Sequence, residues 1–193
     1  MLRRLYDWTM GLAAGRHAGK ALAGVAFAES SFFPIPPDVL LIPMVLADRA
    51  KAWRYAAIAT IASVLGGVFG YLIGAFLFDQ VAQPILQFYG YDQQFERFAA
   101  WYNDWGVWIV LAAGVTPFPY KVITIASGAT GLNFIVFMIA SIVARGLRFV
   151  IVAGLLYWVG PPIRDFIERR LGLVFTVFMV LLIGGFVAAR YLV

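Results

Sequence analysis

The sequence predicts an all-α polytopic membrane protein: an inverted repeat of two re-entrant helical hairpins, each followed by a transmembrane helix, plus a C-terminal transmembrane helix. Composition is the first observation behind this. Of 193 residues 63% are hydrophobic and only 13% charged, where a soluble domain would carry about 25% charged. The mean hydropathy of +0.86 agrees, so the chain is solvated mainly by lipid. The second observation is a pair of Pro-x-Pro breaks inside apolar runs, Pro34-Ile35-Pro36 and Pro117-Phe118-Pro119, each ahead of an unbroken apolar stretch. The third is the recurrence of Ile61-Ala62-Ser63 as Ile139-Ala140-Ser141, an offset of 78 that lays Gly67 on Arg145 and Gly70 on Arg148. Two break-then-crossing units entering from opposite sides describe the architecture in which transporters hold substrate at the midplane between broken helices.

Residues 1–20 place Arg3, Arg4, Arg16, His17 and Lys20 around Leu2, Leu5, Tyr6 and Trp8, which suits an amphipathic segment on a cytoplasmic membrane surface. No cleavage signature is read before the first break, so no removable signal peptide is expected. Residues 21–47 form the first hairpin. Proline lacks an amide hydrogen and clashes with the preceding turn, so the cluster from Pro34 to Pro37 ends the helix there. Broken backbone survives at membrane depth only where protein or a water-filled cavity covers it. The loop 48–54 carries three basic residues against one acid and stays in the cytoplasm.

Residues 55–78 hold no proline and no charge, and at about 1.5 Å per residue they are long enough to cross. Gly66, Gly70 and Gly74 recur at four-residue spacing, a smooth groove for helix packing. Residues 79–105 carry Asp79, Asp92, Glu96 and Asp104 against Arg97 alone and are expected as an outer loop. The second hairpin is predicted over 106–131, a crossing over 133–159 ending at Gly160-Pro161-Pro162, a basic cytoplasmic loop over 161–172 and a last crossing over 173–193. This topology puts every basic loop inside, the acidic loop outside, the N-terminus in the cytoplasm and the C-terminus outside.

The chemistry concentrates in a few residues. Glu29 and Asp38 flank the first break, and Arg145 and Arg148, three apart, share one face of an apolar crossing. An ionisable residue at membrane depth marks a functional site by default. Two roles fit the arginines: structural ion pairs with Glu29 or Asp38, or a phosphate site, since the guanidinium fork matches phosphate oxygens and stays charged. The acids could equally carry protons, because desolvation favours the neutral carboxyl and a neighbouring arginine the ionised one. Lys121 beside the second break is a third candidate cation, with snorkelling as its plain alternative. Pro34, Pro36, Pro117 and Pro119 shape the hairpin tips. The chain holds no cysteine and a single histidine, so neither a thiolate nor a His-based metal site is expected, and no cofactor is implied. The net charge of +5 lies in short loops rather than on one face, which argues against a nucleic-acid partner.

These residues resemble a family. Glu29, Pro34, Pro36 and Asp38, the glycines from Gly66 to Gly74, Thr116-Pro117-Phe118-Pro119-Tyr120-Lys121-Val122 with Ser127-Gly128, and Ala144-Arg145-Gly146-Leu147-Arg148-Phe149 together resemble the DedA family (SNARE-associated or VTT-domain membrane proteins), in particular its YqaA-like branch, over about residues 20–160. The resemblance implies paired re-entrant hairpins, movement of lipids between leaflets as a scramblase or carrier-lipid flippase, proton coupling, and a bacterial inner-membrane location, and it matches Glu29 and Asp38 to the family's functional acids. Many members carry Arg-Phe-x-Pro-x-x-Arg at the second hairpin. Here Gly114 takes the first arginine's place and Lys121 only approximates the second, so the resemblance does not fix undecaprenyl phosphate as the substrate.

The expected function is therefore a lipid transporter or scramblase moving a phosphate-bearing lipid, phospholipid or undecaprenyl phosphate. Arg145, Arg148 and Lys121 would meet the headgroup, and Glu29 and Asp38 would act as counter-ions or proton carriers. Its expected partners are membrane lipids and protons, and the glycine groove could also face a second copy in a homo-oligomer. Two alternatives stand beside it: a proton-driven transporter of a small soluble ion or solute, and a structural membrane-homeostasis protein with locked ion pairs. A lipid-modifying enzyme would need a nucleophile, a metal cluster or a phosphatase motif, and the sequence offers none, so no enzyme activity is expected.

Overall fold

In a computed structural model the described residues are 17–32, 36–116 and 118–169, the last nine of these by their backbone alone. The amphipathic segment apart from its last four residues, the two prolines Pro34 and Pro117, and the C-terminal crossing at 173–193 all lie outside them. Among the described residues the regular structure is wholly helical. The helices are α1 (Ala18–Ser31), α2 (Asp38–Ala47), α3 (Ala52–Leu77), α4 (Gln83–Tyr89), α5 (Asp92–Val115), α6 (Tyr120–Ala129) and α7 (Phe134–Arg169). A 3₁₀ turn, Arg49–Lys51, leads into α3, and a π-helical turn, Phe78–Ala82, joins α3 to α4 without a break.

Lengths already separate two kinds of helix. With 14 and 10 residues, α1 and α2 rise only about 21 and 15 Å, less than the roughly 30 Å of a bilayer core. By contrast the continuous helical stretch Arg49–Tyr89 and the segment Phe134–Gly160 are long and apolar enough to cross a membrane. Only 39% and 33% of their most apolar windows are buried inside the protein, so neither is the core helix of a water-soluble fold. Ile61, Phe69, Phe76, Ile135 and Trp158 lie exposed on them, an apolar surface that lipid covers at no cost.

The break between α1 and α2 lies where the prolines put it. Pro37 caps α2 with φ −66°, already helical, and its missing N–H falls where a helix has no use for one. The predicted outer loop at 79–105 is instead helical. Pro84 stands at the start of α4, which tolerates proline, and Gly90, at φ 70°, is the left-handed cap that ends it, leaving Asp92–Val115 free to run as one helix. The helix leading to the second proline break thus begins upstream of 106. Similarly, α7 does not stop at Gly160-Pro161-Pro162 but continues to Arg169, so the predicted loop at 161–172 is largely helical. Each proline removes one backbone hydrogen bond, and long helix on the N-terminal side carries the chain through.

Packing centres on the two long helices. α3 packs against α1, α6 and α7, while α5 and α2 pack against α7. Each long helix therefore contacts helices from both halves of the chain, α3 taking α1 and α6, and α7 taking α2 and α5. Asp38 and Tyr120 open the second arms and Ala52 and Phe134 open the long helices, at one common sequence separation. It exceeds the separation of the two Ile-Ala-Ser segments by about one helical turn, so Ser63, rather than Gly67, is the positional counterpart of Arg145.

Two apolar clusters result. One joins Leu22, Leu41, Met44, Val45, Ala59 and Phe149; the other joins Tyr102, Val110, Tyr120, Ile123 and Phe137. Close approach in both depends on glycine. A Cβ at Gly66 would meet the Phe27 carbonyl, at Gly70 the Thr124 side chain, at Gly74 the Ile125 carbonyl, and at Gly128 the Tyr71 carbonyl. Gly74→Ala should therefore cost about 1–3 kcal/mol by overpacking and lower the thermal midpoint in detergent. Gly24→Ala, where nothing lies within 4 Å, should leave it unchanged or raise it.

At the loop before α3, Lys51 lies 2.5 Å from Asp48. Its hydrogen bond holds the Asp48 carboxyl below the usual carboxylate value.

Candidate functional site

Glu29 sits in the last turn of α1 and Asp38 opens α2, so the first break places one carboxylate on each arm of the hairpin. Three residues apart on α7, Arg145 and Arg148 turn the same face toward them. Each arginine takes one acid: Arg145 Nη2 lies 2.8 Å from Glu29 Oε2, and Arg148 Nη2 lies 2.5 Å from Asp38 Oδ2.

The Arg145 pair is enclosed at its cation: the Arg145 side chain is 1% exposed and Glu29 13%. Nε donates to Ser63 Oγ at 2.5 Å, and the Ser63 hydroxyl shares a 2.6 Å hydrogen bond with Ser30. Ser30 in turn donates to Glu29 Oε2 at 3.1 Å, closing a ring of four side chains. The guanidinium carbon lies 4.8 Å from the ring centres of both Tyr120 and Phe149. Those rings belong to different apolar clusters, so this one cation joins them, and two aromatic faces partly replace its lost hydration. Tyr120 is itself fixed by a 2.5 Å hydrogen bond from its hydroxyl to Ser141 Oγ. Tyr120→Phe should cost about 1 kcal/mol, read as a small drop in thermal midpoint with α-helical content unchanged.

The Arg148 pair is more open and less satisfied. Arg148 is 15% and Asp38 17% exposed. Besides Asp38, Arg148 reaches the Thr116 carbonyl at the end of α5, donating from Nη1 at 2.6 Å. One guanidinium thus ties the start of α2 to the end of α5, the two places where the hairpins break. Yet Arg148 Nε and Asp38 Oδ1 are buried with no hydrogen-bond partner among the described residues.

The other sequence candidates fall around this centre. Lys121 follows Tyr120 in the first turn of α6 and is half-buried, with no ion pair to any acid among the described residues. Pro36 and Pro119 lie half-buried just ahead of α2 and α6. Gly66 and Gly70 bring α3 against the end of α1 and, through Thr124, against α6; the Thr124 hydroxyl donates to the Ser30 carbonyl at 3.0 Å. Ser31 extends the seam by donating to the Gly66 carbonyl at 3.0 Å.

Sequence reasoning missed Ser30, Ser63, Tyr120, Phe149 and the Thr116 carbonyl as parts of the site. A signal for two of the buried hydroxyls was present: Ser63 and Ser141 are the serines of the two Ile-Ala-Ser segments, and both bond into this network. Among the described residues no group of three or more His, Cys, Asp or Glu could hold a metal ion. The chemistry on offer is two buried, mutually neutralising charge pairs where two broken hairpins meet.

A family model for the VTT domain matches residues 35–158. A protein of Haemophilus influenzae is 42% identical over 156 residues, covering 81% of this chain and 81% of its own length. A Histophilus somni protein matches to the same extent, and one from Methanocaldococcus jannaschii is 27% identical over 126 residues, 64% of this chain and 74% of its own. All three carry the description uncharacterized protein. No solved structure matches the chain.

Proposed function

The chain belongs to the VTT-domain, or DedA, family of membrane proteins, and from that membership and its buried charges we propose that it moves a phosphate-bearing lipid between the leaflets of a bilayer, with proton coupling. The observation that carries the reading is the placement of two arginines and two carboxylates, nearly dry, where both hairpin breaks meet. Burying four charges is costly even when they are paired. In a membrane protein, such charges trace the path of an ion, a proton or a polar headgroup.

The rest of the architecture supports this. The helices on either side of the first break, α1 and α2, are each too short to cross, as the arms of a re-entrant hairpin would be. Contact of each long helix with both halves of the chain is the packing expected of an inverted repeat, with the site between the halves. A phosphate would replace a carboxylate on arginine, and the displaced carboxylate, left dry, would be neutralised by a proton. On this reading the protein sits in the inner membrane with the N-terminus and the basic loop at 48–54 in the cytoplasm. It needs no cofactor and catalyses no bond-breaking step.

A second reading draws on the closed ring around Arg145: a structural membrane-homeostasis protein in which the charges only pack. Reconstituted vesicles separate the two. Full-length protein should speed leaflet exchange of a labelled phospholipid or polyisoprenyl phosphate, a pH gradient should change the rate, and Asp38→Asn should remove that response. Folded protein that moves neither lipid would leave the structural reading standing.

A further inference from the structure

We propose that the two ion pairs do different work: Glu29–Arg145 is a permanent strut, and Asp38–Arg148 is the exchangeable pair at which a phosphate group enters. The inference rests on the transport reading and assigns its two halves to different residues.

The asymmetry lies in what each guanidinium has left to give. Arg145 spends Nε on Ser63 and Nη2 on Glu29, its side chain is 1% exposed, and its guanidinium carbon lies 4.8 Å from the ring centres of Tyr120 and Phe149. A phosphate could reach it only by displacing packed side chains and a serine hydrogen bond. Arg148 is held by one carboxylate oxygen and one neutral carbonyl, with Nε buried and unused. Asp38 likewise keeps Oδ1 buried and unused. A buried donor and a buried acceptor left over from one pair mean that the contact is not the best either partner could make. A phosphate, with several terminal oxygens, can take Nε and Nη2 side by side, the bidentate geometry that one Asp38 oxygen does not supply.

The position of Arg148 gives such an exchange a consequence. Because it holds Asp38 at the start of α2 through Nη2 and Thr116 at the end of α5 through Nη1, a phosphate that takes Nε and Nη2 displaces Asp38 and so cuts the link between the two hairpin tips at its α2 end. Arg145 meanwhile keeps α1, α3 and α7 joined through Glu29 and Ser63. The ligand chemistry is an anionic phosphate with free terminal oxygens, from a lipid headgroup or as the free ion.

The test uses the purified full chain in detergent with dihexanoyl phosphatidic acid and inorganic phosphate as probes. If Asp38 occupies Arg148 about nine-tenths of the time, Asp38→Asn should tighten binding of at least one probe about tenfold, and Arg148→Gln should abolish it. A gain for phosphatidic acid alone assigns the site to a lipid headgroup, and an equal gain for both assigns it to the phosphate group itself; either supports the proposal. Glu29→Gln should leave the affinity unchanged and lower the thermal midpoint. In wild-type protein, phenylglyoxal should modify Arg148 before Arg145, and the probe should protect Arg148, a readout that needs no variant to fold. Equal tightening by Glu29→Gln and Asp38→Asn, or labelling of Arg145 first, would overturn the division of roles. These readouts are independent of transport: phosphate binding that follows Asp38 and Arg148 in a protein that moves no lipid upholds the division and removes the transport reading, whereas lipid movement with equivalent pairs does the reverse.

Discussion

Arg145→Ala is expected to destabilise the protein by about 3–5 kcal/mol, the usual cost of stripping one partner from a buried charge pair. Three losses combine. Glu29 loses its arginine in a site where its other partner is the Ser30 hydroxyl, Ser63 loses its strongest donor, and the space beside Tyr120 and Phe149 empties. Because those rings belong to the two apolar clusters, the damage spreads to both. Thermal unfolding in detergent should show a large drop in midpoint, and Arg145→Lys should recover little of it, since an ammonium cannot stack as a plane or reach Ser63 and Glu29 with fixed geometry. An Arg145→Ala protein as stable as wild type would show that the ring of Glu29, Ser30, Ser63 and Arg145 is not a strut.

The second large effect is on movement rather than on folding. Arg148→Gln should lower phospholipid translocation at least about tenfold, the scale of losing one member of a buried charge pair, while the thermal midpoint falls less than in Arg145→Ala. Arg148 keeps 15% of its side chain exposed, against 1% for Arg145. Rates from fluorescent-lipid quenching, set against the amount of folded protein by size-exclusion chromatography, separate lost function from lost fold. Unchanged translocation in folded Arg148→Gln protein would remove this arginine from the lipid path.

The four charged residues were legible in sequence because charge inside an apolar run has no cheap explanation, and prolines at 34, 36 and 37 announce the break beside them. Which acid meets which arginine was not legible. That depends on how α1, α2 and α7 cross, and the spacing Glu29 to Asp38 fits either assignment. Ser63 and Tyr120 were hidden for another reason: a serine in a small-residue helix and a tyrosine beside a proline break are ordinary, and only the crossing of α3, α6 and α7 turns them toward Arg145. The three-residue match of Ile61-Ala62-Ser63 with Ile139-Ala140-Ser141 falls about one turn short of the separation between the helix starts, since small residues recur in helices at about that spacing. The helical 79–105 stretch was read as a loop because its charges were weighed for topology. Its punctuation, Pro84 at a helix start and Gly90 at a helix end, held the better signal.

The most direct test of the central claim is discrimination by headgroup in a single vesicle population. Wild-type protein would be reconstituted with a labelled phospholipid and a labelled glucosylceramide, an uncharged lipid of comparable bulk, and the initial rate of leaflet exchange of each measured against protein-free vesicles. A phosphate handled by Arg148 predicts that the phospholipid is accelerated well beyond the glycolipid and that Arg148→Gln erases the difference. Equal acceleration of both lipids, or of neither, would contradict it.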